Sequence, residues 1–396
     1  MGCSIFLLGP SSSQTAGIIV LTSRRDCRPH KLPGLSSSQL GPGLTLTMLY
    51  VHMNIYFTGP VMAIGIKILE VICALKFVGT FLFGGFGCLF FAIYLLSTRL
   101  YFIPLIYLVW FVWDRDTSEK GGRRLESPRN WRVWRLAAEY FPMKLHKTVD
   151  IATDRNYVFA YHPHGILGFG AFMHFATNGT HADKIFPGLR RSLLILKGQF
   201  DFPFYREYLM LAGLCAVTKR SIEWMLTREG KGNAVVIIIG GAKEALEAHP
   251  GRYCIDLKER KGFIKIAMRH GADIVPVFSF GENDIYHQVS NPKGSRLRNA
   301  QEWLMQYTGF SPPILMGRGF IQKYFGMMPF RRPPTKLQVK TTIEQLGTPI
   351  PVEKIAEPSR EQIKDMHAIY IKKLEELFEE HKGRFGVSED THITYM

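Results

Sequence analysis

Tyr157-Val-Phe-Ala-Tyr-His-Pro-His-Gly165 is the stretch on which the fold turns. Its first five residues are uncharged and mostly aromatic or β-branched, the texture of a strand buried on both faces, and they run directly into two histidines flanking a proline. Two other runs share this texture. Val235–Ile239 is followed by Gly240-Gly241 and a helical stretch, and Ile274–Phe278 is closed by Gly281. Short apolar strands without polar alternation, separated by helical segments, predict an α/β fold with a largely parallel sheet and helices on both faces.

Open sheets of this kind place their sites at the carboxyl ends of strands, which is where His162-Pro163-His164-Gly165 falls. Pro163 fixes its own φ and biases His162 towards extended backbone, while Gly165 permits close approach of backbone or substrate. A rigidly held imidazole, titrating near neutrality, suits a general base. A metal would need a third ligand, from His174 or His181, and no zinc-ligand spacing is present, so no metal is expected. In Gly240-Gly-Ala-Lys-Glu244 the small residues leave backbone N–H groups for a phosphate or an oxyanion. Glu244 reads either as the acid that orients a histidine or as a helix-start charge. Lys258, Arg260, Lys261, Lys265 and Arg269 form a basic cluster, read either as a phosphate contact or as a solvated helix face.

Upstream, Phe77–Thr98 carries no charge and reaches the roughly 20 residues that cross a bilayer. Arg99 interrupts the apolar run, which resumes over Leu100–Trp113 with Pro104 inside it. Lys67 and Lys76 precede the block, and Arg115, Lys120, Arg123, Arg124, Arg129, Arg132 and Arg135 follow it. Basic residues on both sides predict that both ends face the cytosol, hence a hairpin or re-entrant loop. The expected organisation is a disordered or dispensable segment over 1–60, a membrane-embedded hairpin over 61–114 and a cytosolic catalytic domain over 115–396. Near the end, Ser359 and Gln362 form a capping box. Ile363, Met366, Tyr370, Leu374, Leu377 and Phe378 then share one helical face, docked on the core, with Gly383 closing the helix.

The chain has 49 Lys+Arg against 33 Asp+Glu, a formal net charge of +16. Such an excess suits an anionic membrane face or a phosphorylated co-substrate. Nucleic acid is not expected, because the basic residues are dispersed and no aromatic-basic reader motif occurs. The six cysteines form no CxxC pair, which argues against a disulfide framework or a zinc site and for a reducing compartment.

Tyr140-Phe-Pro142, Tyr161-His-Pro-His-Gly165, Pro203-Phe-Tyr-Arg-Glu-Tyr208, Gly240-Gly-Ala-Lys-Glu244, Arg260-Lys-Gly-Phe263, Phe278-Ser-Phe-Gly-Glu-Asn283 and Gly317-Arg-Gly319 together resemble the type-2 diacylglycerol acyltransferase family. That family includes monoacylglycerol and wax-alcohol acyltransferases. The motif order also resembles, more distantly, the glycerophosphate acyltransferase plan. There an Asp five residues after the His orients the imidazole; Leu167 and Phe169 stand at those positions here.

The resemblance implies an acyl-CoA-dependent transfer to the hydroxyl of diacylglycerol or monoacylglycerol, by single displacement. His164 is the implied base, Glu244 its orienting acid and His162 a positional residue. Arg260, Lys261, Lys265 and Arg206 are the implied contacts to the acyl donor, acyl-CoA being a co-substrate with no resident cofactor. It further implies an endoplasmic-reticulum membrane protein with access to lipid droplets, and leaves oligomeric state open. The rival readings are a long-chain alcohol acyltransferase and a non-enzymatic lipid-droplet membrane protein; a hydrolase is disfavoured by the lack of a G-x-S-x-G elbow. Residues 1–60 resemble nothing in the family, and Pro333–Pro349 is longer and more polar than the apolar strand expected there.

Overall fold

The computed structural model describes residues 59–228, 230–317 and 343–396. The expected disorder before residue 59, Arg318-Gly319, and the 333–342 part of the polar segment lie outside these residues.

Seven strands form the sheet: β1 (Lys144–Lys147), β2 (Tyr157–His162), β3 (Arg190–Ile195), β4 (Cys215–Ala216), β5 (Asn233–Ile238), β6 (Asp273–Phe280) and β7 (Ile343–Leu346). Their spatial order is β1-β7-β6-β2-β5-β3-β4, and every neighbouring pair is parallel except β7 with β6. All three strands read from the sequence are present, each one to three residues longer or shifted at its ends. Every residue of β2 and β6 is buried, as strands covered on both faces must be.

Side-chain alternation along β2 divides the core. Tyr157, Phe159 and Tyr161 point to one face, where Phe169, Phe172 and Phe175 cover them. Val158 and Ala160 point to the other, beneath the helices Gly262–His270 and Arg360–Lys382. The second of these carries the predicted capping box: Ser359 accepts from the Gln362 N–H and Gln362 accepts from the Ser359 N–H. Its stripe is docked on the core as expected, with Ile363, Tyr370, Leu374, Leu377 and Phe378 buried. Gly383 does not end it in the left-handed conformation. The chain tightens into a 3-10 turn over Gly383–Phe385, and Gly386 takes the positive φ of 77° instead.

The apolar segment differs from the Phe77–Thr98 and Leu100–Trp113 runs read from the sequence. One helix, α1 (Gly59–Leu96), begins 18 residues earlier than Phe77, and its stretch Ile64–Leu96 is long and apolar enough to cross a bilayer. The second, α2 (Phe102–Trp113), has only 12 residues. It is therefore about 18 Å long against a hydrocarbon core of roughly 30 Å. Pro104 does not break it, because it sits in the first turn, where no intrahelical N–H bond is lost. Phe83, Phe86, Phe90, Phe91, Ile106, Val109 and Trp113 are exposed, whereas Cys73, Ala74, Phe77 and Val78 are buried in the domain core. Phe77 lies 4.3 Å from Phe169 and 4.8 Å from Phe172, ring centre to ring centre.

Candidate active site

Beyond β2 the chain turns through a cis His162-Pro163 bond into His164 and Gly165. The two imidazoles part company there. His162 continues the alternation of Val158 and Ala160 and is fully buried, its Nε2 3.0 Å from the hydroxyl of Tyr370 on the long C-terminal helix. Three helices bear on the site: α3 (Gly241–Ala245), α4 (Gly262–His270) and, carrying Tyr370, α5 (Arg360–Lys382). His164 instead lines a cavity of about 480 Å³.

The His164 ring is oriented by its own neighbour. Nδ1 lies 2.9 Å from the Gly165 carbonyl, which can only accept, so Nδ1 carries the proton and Nε2 keeps its lone pair. Desolvation lowers the His164 pKa below the ordinary imidazole value; the Gly165 contact and the Glu244 charge oppose that shift without reversing it. Glu244 was expected to hold this ring. It accepts instead from the His164 main-chain N–H through Oε1, and from the Asp256 N–H at 3.1 Å through Oε2. Its Oε2 also lies 3.9 Å from Nδ1 of His162. The carboxylate is fully buried, so it braces the turn rather than steering the imidazole.

The glycines of Gly240-Gly241 explain how a carboxylate fits there. A Cβ on Gly240 would stand 1.9 Å from Oε2 of Glu244, so the side chain folds back over its own turn only if residue 240 is Gly. Gly241, at φ 58°, faces open space and lines the cavity. From the other side the buried Glu282 accepts from the N–H groups of Phe169 and Gly170 at 2.7 and 2.9 Å. Two buried carboxylates thus fix the loop at both ends.

The cavity is apolar in depth, where Phe77 and Phe81 of α1 meet Leu167, Phe172 and Leu209. Its polar lining includes Lys243 and Arg260.

A family model described as diacylglycerol acyltransferase matches residues 93–395. The chain belongs to that family. It is 44% identical over 332 residues to a diacylglycerol O-acyltransferase 2 of Danio rerio, covering 83% of this chain and 90% of that one. It is likewise 44% identical to a 2-acylglycerol O-acyltransferase 1 of Bos taurus, covering 83% and 95%, and 43% identical to the human diacylglycerol O-acyltransferase 2, covering 82% and 81%. Among solved structures, the 1-acyl-sn-glycerophosphate acyltransferase PlsC of Thermotoga maritima aligns over 79% of this chain and 97% of its own, at 12% identity and a TM-score of 0.34, and no argument rests on it.

The four basic residues expected at the acyl donor separate in this acyltransferase. Arg260 lines the cavity, its guanidinium 3.4 Å from the Gly240 carbonyl. Lys261 and Lys265 do not line it; Lys261 lies 3.9 Å from Glu259, and Lys265 is exposed on α4. Arg206 is elsewhere. Its side chain is 1% exposed, 3.1 Å from the Asp114 carboxylate and 3.0 Å from the Asp114 carbonyl, with the Phe111 ring 4.9 Å away. This arginine ties the end of α2 to the domain, and burial leaves it no face for a phosphate. His174 bonds Thr180 Oγ1 at 2.8 Å, and among the described residues no three His, Cys, Asp or Glu groups gather as metal ligands.

The site also gathers residues that the sequence did not single out. Lys243 stood inside a quoted motif with no role assigned. Asp256 carries no motif, Glu282 was only part of Gly281-Glu-Asn283, and Tyr370 was visible only as one member of an apolar stripe. Period-two alternation along β2 was the available signal for Tyr370, since it sends His162 to the face that α5 covers.

Proposed function

We propose that this chain moves a fatty acyl group from acyl-CoA to the free hydroxyl of diacylglycerol, or of monoacylglycerol, with His164 as base. The observation that carries this is the contact of His164 Nδ1 with the Gly165 carbonyl at 2.9 Å, which leaves Nε2, with no bonding partner among the described residues, on a ring that lines an apolar cavity. Nε2 takes the acceptor's hydroxyl proton as that oxygen attacks the thioester carbonyl. The C–S bond then breaks, and the leaving CoA sulfur receives the proton. Backbone N–H groups at the Gly240-Gly241 turn stabilise the oxyanion. A positioned base is worth roughly 10²–10⁴-fold and one oxyanion donor about 10²–10³-fold, so both contribute. His162, held by Tyr370, and Glu244 position the turn.

Acyl-CoA is consumed as a co-substrate and no resident cofactor is required. Residues 61–114 embed in the endoplasmic-reticulum membrane as a hairpin or re-entrant loop with unequal legs, α1 the longer, so that both ends emerge on the cytosolic side. Residues 115–396 face the cytosol, with access to lipid droplets, and 1–60 are dispensable. The burial of α1 residues within the catalytic core supports a cavity that opens beside the membrane helix, because Phe77 and Phe81 of α1 line it.

Purified protein incubated with labelled acyl-CoA and separate diacylglycerol, monoacylglycerol and long-chain alcohol acceptors tests the reading. Labelled triacylglycerol is the expected main product. Wax ester alone, or free fatty acid independent of any acceptor, overturns it.

A further inference from the structure

Asp256 stands at the centre of the charge around the cavity. Its side chain is 5% exposed and meets two cations, Lys243 Nζ at 3.2 Å and the Arg260 guanidinium at 2.9 Å. Both cations line the cavity that His164 lines, and they stay 49% and 45% exposed. Each therefore spends one side on Asp256 and keeps the other for a ligand. The Asp256 main chain also shares Glu244 with the His164 turn, since both N–H groups end on that one carboxylate. Its loop is held independently: Cys254–Ile255 pairs in parallel with Thr394–Tyr395, the Met396 N–H bonds the Ile255 carbonyl at 2.8 Å, and the Lys258 N–H bonds the Met396 carbonyl at 3.2 Å.

We propose that Lys243 and Arg260 form a paired clamp for a phosphate group of the acyl donor, and that Asp256 is the residue that positions it. This rests on the acyl-CoA reading above and assigns the donor's anionic end to a definite pair of side chains. Two long cations on neighbouring segments repel one another and lose rotamer freedom when ordered. A buried carboxylate between them offsets both costs before substrate arrives, so binding energy is not used to gather them.

Asp256→Asn separates geometry from charge by sign. The substitution removes one negative charge from the site. If only net charge mattered, acyl-CoA would bind more tightly and its KM would fall. If Asp256 positions the clamp, Lys243 and Arg260 disperse and the acyl-CoA KM rises, by about tenfold for one lost charge-assisted contact, with kcat falling less and the acceptor KM within about twofold.

Competitive inhibition by CoA, dephospho-CoA and pantetheine, measured on wild type, Asp256→Asn, Lys243→Met and Arg260→Met, identifies the group held. Inhibition by CoA should weaken in all three variants. Weakening shared by dephospho-CoA points to the diphosphate, and weakening confined to CoA points to the 3′-phosphate. Pantetheine, with no phosphate, should inhibit all four proteins alike. Should Asp256→Asn fail to accumulate, the Lys243→Met and Arg260→Met proteins still decide the matter. Unchanged CoA inhibition in both, or a lower acyl-CoA KM in Asp256→Asn, overturns the clamp. A wild-type protein with no acyl-CoA-dependent transfer overturns the functional reading itself, so the two failures are distinct.

Discussion

Arg206 and Arg260 look alike in the sequence, each a basic residue inside a motif that resembles the acyltransferase family, yet the fold gives them opposite employment. Around Arg206, charges are paired inwards: Asp114 meets both Arg206 and Arg123, Arg123 also meets Glu207, and Tyr107 of α2 bonds Glu207 at 3.1 Å. Around Arg260, one buried carboxylate holds two cations that stay half in solvent. The first network anchors α2; the second presents charge to a cavity. The lesson is that an arginine's role is set by what its guanidinium has left over after its internal partners are satisfied.

Breaking the cavity side at its centre should have the largest effect. His164→Ala should lower turnover about 10²-fold or more, the usual worth of a placed base, without loss of membrane association. Glu244→Gln should also impair turnover. Its amide can accept at only one end, so one of the two N–H groups it now satisfies is orphaned, and the turn loosens. The double mutant should be little worse than His164→Ala, because Glu244 serves the reaction by holding the main chain that places His164. Near-normal turnover in His164→Ala removes it from the mechanism.

Arg206→Ala probes the anchoring side. It leaves the Asp114 carboxylate, 9% exposed, short of one partner, and should cost about 3 kcal/mol of stability, seen as a lower Tm in detergent. Protein that remains folded should keep its acyl-CoA KM. Arg260→Ala should raise that KM about tenfold and lower the Tm less than Arg206→Ala does, because the guanidinium removed is 45% exposed instead of buried. If the two variants behave alike, the contrast between the networks is wrong.

A smaller effect concerns pH. Because burial lowers the His164 pKa, the neutral, proton-accepting form persists to lower pH than for a free imidazole. The acidic limb of the kcat/KM profile should therefore be centred below about 6.5, the ordinary imidazole value. An acidic limb centred above that value contradicts a desolvated base.

The smallest expected effects are nulls. Lys265→Ala, on an exposed position off the cavity, should change the acyl-CoA KM by less than about twofold. The sequon Asn178-Gly-Thr180 should carry no glycan, and endoglycosidase treatment should leave the mass unchanged. Asn178 is buried, donating to Asn130 at 3.0 Å and accepting from Arg191 at 2.7 Å. A glycan on Asn178 would overturn the burial as well as the cytosolic placement.

The sequence by itself determined the parallel-rich sheet, since buried strands such as β2 and β6 must be apolar on both faces and need no distant partner to be recognised. It also determined the histidine turn at a strand end and the capped, striped C-terminal helix, whose signals are local in spacing. Only the tertiary structure decided that His162 and His164 face opposite ways, that α2 is too short to span, and that Glu244 grips main chain and not the imidazole. The same holds for Arg206 sinking against Asp114 while Lys243 and Arg260 gather on Asp256. These outcomes depend on which groups meet across the 92 residues between Asp114 and Arg206, or the 208 between His162 and Tyr370. A side chain's charge and size are written in the sequence, but the partners that satisfy or strand it are brought together by the fold.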